Sequence, residues 1–164
     1  MVAGRGAEGG RVKSITIRVV GVPQPKGSTK GFPVRRKNGK MGVAITSSNP
    51  QLKPWALLVA WEAAREFGKA DIPKGPVYVT ITFSVPRPKS HYDSKGNLKW
   101  NAPIFSITKP DVDKLERGIL DALTGICWKD DAQVAMLHSW KKYTSFADGQ
   151  SGRPGAFITV EWES

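Results

Sequence analysis

Lys109-Pro110-Asp111-Val112-Asp113-Lys114-Leu115, then Leu120-Asp121-Ala122-Leu123-Thr124-Gly125, then Trp128-Lys129-Asp130-Asp131-Ala132-Gln133-Val134, is the stretch on which the reading of this chain turns. Pro110 disfavours helix before it, Asp111 can cap one, and Gly125 stands where a left-handed terminator is wanted, so the spacing predicts a helix over 111–124. Val112, Leu115, Ile119, Ala122 and Leu123 then share one face, while Asp113 and Arg117 lie one turn apart on a flank away from it. Because that helix is short, the chain can turn back before Asp130 and Asp131. If it packs back, those carboxylates return to the Asp111/Asp113 end; tertiary structure decides.

Strands flank this unit. Val134 to Tyr143 follows it, and Val77 to Val85 precedes it with strict alternation of β-branched or aromatic residues and smaller ones. Ser14 to Val22 reads as a first strand, Gly42 to Thr46 as a short one and Ala156 to Trp162 as the last. Pro50 to Phe67 reads as a helix closed by Gly68, with Leu52, Trp55, Leu58, Val59, Ala63 and Phe67 on an apolar face and Trp61 at its edge. Lys26 to Met41 and Pro86 to Thr108 read as long loops, the second Pro-, Lys- and Ser-rich with a turn at Ser94-Lys95-Gly96-Asn97. The order implies an α+β fold: one domain over 14–164, a mixed sheet with two main helices on one face, after a flexible tail at 1–13.

The composition, 40% hydrophobic and 24% charged over 164 residues, is that of an ordinary globular domain able to bury a core. No apolar run approaches membrane-spanning length and residues 1–13 lack the apolar centre of a signal peptide, so a cytoplasmic protein is expected. Cys127, the single cysteine, lies between Ile126 and Trp128 and is expected to be a buried small apolar residue. A formal charge of +11 points to a polyanionic partner, nucleic acid ahead of an anionic membrane surface. Lys26, Lys30, Arg35, Arg36, Lys37 and Lys40 have no acid among them. Such a run is either a solvated face or a set of phosphate contacts; in a DNA enzyme the second reading wins.

Against this basic background the carboxylates of the central stretch stand out. Carboxylate oxygens are the natural ligands of Mg²⁺, and a metal held against a polyanion is the apparatus of phosphodiester hydrolysis. That combination points to a nuclease. The structural alternative is that Asp111 caps, Asp113 favours the helix dipole, and Lys-Asp-Asp forms a turn, with Lys114, Arg117 and Lys129 as counter-charges. Spacing alone leaves both open. Trp55 and Trp61 are expected in the core or a dimer interface; His91 and His138 are too isolated to argue as ligands.

The three segments, in this order and spacing, resemble the RusA family of Holliday-junction resolvases. Gly21-Val22-Pro23-Gln24-Pro25-Lys26-Gly27, Pro86-Arg87-Pro88-Lys89 and Lys141-Lys142-Tyr143 extend the resemblance over most of residues 15–145. The longer loops are similar to those of phage and prophage members. The resemblance implies a homodimer that nicks opposed strands of a four-way DNA junction, leaving 5′-phosphate and 3′-hydroxyl ends. It implies that Asp111, Asp113 and Asp131, with Asp130 beside them, bind Mg²⁺, for which Mn²⁺ can substitute. It also implies DNA contacts by Arg87, Lys89, Lys141 and Lys142 beside the Lys26–Lys40 cations. The family often carries Lys where this chain has Arg117, and commonly Asn where it has Lys114. Arg cannot readily shed a proton, so Arg117 or Lys114 is expected to stabilise phosphate charge instead.

Three other functions are weighed. A non-catalytic branched-DNA-binding protein and a less selective flap or duplex endonuclease would use the same basic surface. A transferase binding a metal–nucleotide complex is disfavoured because no Gly-rich phosphate loop precedes Asp111, so no nucleotide cofactor is expected.

Overall fold

A computed structural model describes residues 11–68, 70–145 and 152–163. Its elements run β1 (Val12–Val20), β2 (Thr29–Arg35), β3 (Met41–Ser47), α1 (Leu52–Phe67), β4 (Val77–Val85), α2 (Val112–Leu123), β5 (Val134–Tyr143) and β6 (Gly155–Glu163). The alternation of Val77–Val85 makes it a central strand. Val77, Val79, Ile81, Phe83 and Val85 are buried, and β4 is paired antiparallel to β6 and parallel to β5. The sheet order is β1-β6-β4-β5. Parallel neighbours need a crossover, and the chain from 86 to 133, with α2 inside it, supplies one. The α+β fold with a mixed sheet and two helices is therefore as expected.

The core lies between the sheet and the helices. Leu115, Ile119 and Leu123 are fully buried on α2, and Trp55, Val59, Ala63 and Phe67 are buried on α1. Each large apolar side chain so placed stabilises the fold by about 1.5–3 kcal/mol. One expected stripe member falls outside: Val112 is 37% exposed in the first turn of α2; Trp61, at the edge of the α1 face, is 60% exposed. Trp61 lies under the Arg65 guanidinium, 5.3 Å from the ring centroid. Cys127 is fully buried, as expected, and burial pushes its thiol pKa up to about 12. Gly125 takes the left-handed conformation (φ 84°) just past α2.

The stretch from Lys26 to Met41 is not a loop. Residues 29–47 form a two-stranded hairpin separate from the main sheet, pairing Thr29 with Ser47 through Arg35 with Met41. The first strand begins at Val12 rather than Ser14, inside the expected tail; residues 1–10 lie outside the described residues. Among the described residues, no helix is long and apolar enough to cross a membrane.

Candidate active site

Asp111 sits immediately before α2 in extended conformation, yet its side chain makes no capping bond. It pairs instead with Lys114, Oδ2 to Nζ 3.0 Å. The Lys114 ammonium holds the Asp111 carboxyl below the usual carboxylate range, so it is ionised at neutral pH. An exposed pair of this kind contributes little, so a stronger cation can displace it. Asp113 lies in the first helical turn and is exposed. Arg117, one turn on, is exposed and has no ion pair among the described residues.

Three contacts fix this end of α2. Lys141 of β5 donates from Nζ to the carbonyl oxygens of Thr108 and Pro110, tying the peptide before Asp111 to the sheet. The Lys26 amide donates to the Lys114 carbonyl at 2.9 Å. Gly118 lets the backbone of 24–26 lie flush on the helix, since a Cβ there would stand 3.2 Å from the Gln24 carbonyl oxygen. A shallow groove results, with Val22 to Pro25 on one wall and Lys109, Pro110, Asp111 and Lys114 on the other. Lys141, expected at DNA, also positions the helix start, a role that spans 31 residues and leaves no local signal in the sequence.

The chain does not carry Asp131 back to this end. After Leu123 it wraps the C-terminal end of α2: Ile126 and Cys127 donate to the Leu123 carbonyl, and the Gly125 amide donates to the Trp128 carbonyl at 2.7 Å. The fully buried Trp128 then donates from Nε1 to Asp131 Oδ1 at 3.0 Å, and Thr124 Oγ1 donates to the same oxygen. Asp131 is thus anchored to Thr124, and from Asp113 to Thr124 the helix rises about 16 Å. Asp130 is a cap, its Oδ1 accepting from the Ala132 amide at 2.8 Å while Gln133 Oε1 accepts from the amides of Lys129 and Asp130. Among the described residues no three His, Cys, Asp or Glu side chains stand together as a metal-holding group. Asp111 and Asp113 are brought together; Asp131 and Asp130 are at the other end.

The cations divide similarly. Arg35, Arg36, Lys37 and Lys40 crowd the exposed hairpin tip, where the Arg36 amide donates to the Lys40 carbonyl at 2.9 Å. Lys30 is in β2, its side chain outside the described residues. Lys26 instead pairs with Asp121 of α2. Lys89 is exposed, and Lys142 is half-buried beside Phe105, to which it is bridged. Arg87 is largely structural, donating to Pro103 O at 2.8 Å and Thr144 O at 3.2 Å and lying over the Tyr143 ring. His91 meets that ring edge-on, which gives it a packing role.

The sequence profile described as endodeoxyribonuclease RusA matches residues 22–161, from the Pro23–Pro25 wall of the groove through both acidic ends of α2. The chain belongs to the RusA endodeoxyribonuclease family. Among relatives, it is 32% identical over 132 residues to the uncharacterized protein YqaN of Bacillus subtilis (strain 168), covering 79% of this chain and 88% of that one. The RusA match makes the groove beside Asp111 and Asp113 the candidate centre for DNA hydrolysis.

Proposed function

We propose that this RusA-family chain is a Mg²⁺-dependent endonuclease of four-way DNA junctions. It acts as a homodimer in which each active site takes Asp111 and Asp113 from one protomer and Asp131 from the other. The observation that carries this reading is that Asp111 and Asp113 stand exposed and unused as caps at the end of α2 where the root of the basic hairpin packs. Two carboxylates completed by water and phosphate are a customary Mg²⁺ donor set, so these residues fit the ion. The separation of Asp131 along α2 supports a second protomer as the source of the third carboxylate. A two-fold axis crossing near the middle of α2 would set the two helices antiparallel, each acidic end facing the opposite end of its partner.

When bound, the cation supplies a water of lowered pKa and a counter-charge at the phosphate. The protein's part is positioning and electrostatics. Asp111 and Asp113 bind and orient through hard oxygen donors, and Asp131 is held in one orientation by Thr124 and Trp128. The Arg117 guanidinium donates to the oxygens that gain charge as water attacks phosphorus and the 3′ oxygen leaves. Lys114, released from Asp111, is a second donor of this kind. The hairpin cations grip the phosphates without reading sequence. Two sites related by a two-fold axis cut two opposed strands, in the cytoplasm, that of a bacterial host if the chain is phage-encoded.

The test is cleavage of a labelled synthetic four-way junction and a matched linear duplex, with Mg²⁺ or EDTA, beside Asp113→Asn. Paired Mg²⁺-dependent nicks in the junction alone, abolished in the variant, are expected. Tight junction binding without product under any divalent metal would leave a binding protein with structural carboxylates.

A further inference from the structure

The least accounted-for surface is the long segment 86–110. Trp100 is 96% exposed and Ile107 95%, with Ile104, Phe105 and Leu98 also exposed. Apolar side chains exposed together, rather than singly, mark an interaction site, and Trp100 sits among these on a fixed turn. Tyr92 bridges Leu98, the Lys99 amide donates to His91 O at 2.9 Å, and Lys99 Nζ donates to Ser90 O at 2.9 Å. The Ala102 amide closes the Lys99–Ala102 turn on Lys99 O at 3.0 Å, and Arg87 holds Pro103 from below. Beyond it, the Tyr143 amide donates to Ile104 O and the Ser106 amide to Lys141 O, so the segment is laced to the end of β5 before it enters α2 at Asp111.

Its charge selects the occupant. Arg87, Lys89, Lys95, Lys99 and Lys109 face a single acid, Asp93. The Asp93 carboxylate is taken up by the segment's own turn, accepting from the amides of Lys95 and Asn97 at 2.9 and 2.8 Å. A second copy of this surface would bring the same positive charge; a polyanion with flat apolar faces is complementary to both the lysines and the indole. DNA offers such faces where base stacking is interrupted, and indole–base stacking on a cationic surface is how single-stranded segments are held.

We propose that Trp100 stacks on a base unstacked at the branch point, with the lysines of segment 86–110 on the adjoining phosphates, and that this contact makes the enzyme prefer branched to linear DNA. The inference rests on the junction-nuclease reading and adds to it a selectivity residue outside the acidic groove.

Trp100→Ala and Trp100→Phe test it in the full chain, since so exposed a side chain can be changed without entering the core. Binding in EDTA is read by fluorescence anisotropy on a four-way junction and on a linear duplex, with 2-aminopurine at the branch reporting stacking and sedimentation reporting mass. Trp100→Ala is expected to weaken junction binding about ten-fold. Duplex affinity and mass should stay unchanged, Phe should recover most of the affinity, and the 2-aminopurine response should disappear in the Ala variant. An unaltered junction-to-duplex ratio, or a smaller assembly in Trp100→Ala, overturns the inference; the latter gives the segment to a second copy. If the wild type cuts junctions and Trp100→Ala keeps full selectivity, only the loop's role fails. If the wild type neither binds nor cuts junctions, the nuclease reading fails and takes this inference with it.

Discussion

A carboxylate is available to a cation only when the protein has not already engaged it, and the four aspartates of the central stretch differ in this respect. Asp113 is exposed in the first turn of α2, Asp111 holds only a displaceable lysine, Asp131 is oriented through one oxygen, and Asp130 is a cap. Asp113→Asn is therefore expected to lower junction cleavage at least about 100-fold while leaving DNA affinity and melting temperature near wild type, because one transition-state electrostatic interaction is of that order. Asp130→Asn should keep both cleavage and stability, since Asn caps as well as Asp. A fall in cleavage as deep as that of Asp113→Asn would place Asp130 in the metal set. The residue types were readable from sequence; their engagement was not. Whether Asp111 caps α2 or turns to Lys114, and whether Lys141 meets phosphate or the Pro110 carbonyl, depends on neighbours that only folding supplies.

Elements were legible where periodicity is strong and breakers are sharp. Val77–Val85 and Val134–Tyr143 form strands over the bounds their alternation predicts, and Gly125 ends α2 from the left-handed conformation that its position called for. Gly125→Ala should lower stability by about 1–2 kcal/mol, the penalty of a Cβ in that conformation, visible as a reduced urea midpoint with unchanged slope. An unchanged midpoint would show that α2 ends by other means. The β2–β3 hairpin is hidden in the sequence because β2 offers only Phe32 and Val34 as an alternating apolar pair, Pro33 between them argues against a strand, and both apolar side chains are exposed. As an arm rooted beside α2, it presents Arg35, Arg36 and Lys37 together near its tip. Neutralising all three should flatten the log–log salt dependence of DNA binding by about 0.9 for each phosphate that the arm no longer neutralises. A slope that stays the same would assign the arm to solvent.

At the scale of the whole molecule, α2 is a spacer. It sits within the β4–β5 crossover, with Asp111 and Asp113 at one end and Asp131, anchored on Thr124, at the other, about 16 Å of helix apart from Asp113. No local pattern reveals that separation: a returning turn and a wrapping turn both fit Gly125 to Asp131, and the buried Trp128 chooses the second. One protomer therefore offers two half-sets of carboxylates, which the proposed dimer would join across its interface. Subunit mixing tests this most directly. Asp113→Asn and Asp131→Asn proteins, each inactive alone, are unfolded together, refolded as mixed dimers and assayed on a labelled four-way junction with Mg²⁺. A site shared between protomers leaves one intact centre in every mixed dimer, so nicking of one strand per junction should return, at close to half the wild-type rate per mixed dimer. If the mixture stays as inactive as its parents although mixed dimers form, the carboxylates do not combine across the interface and the proposed active site is wrong.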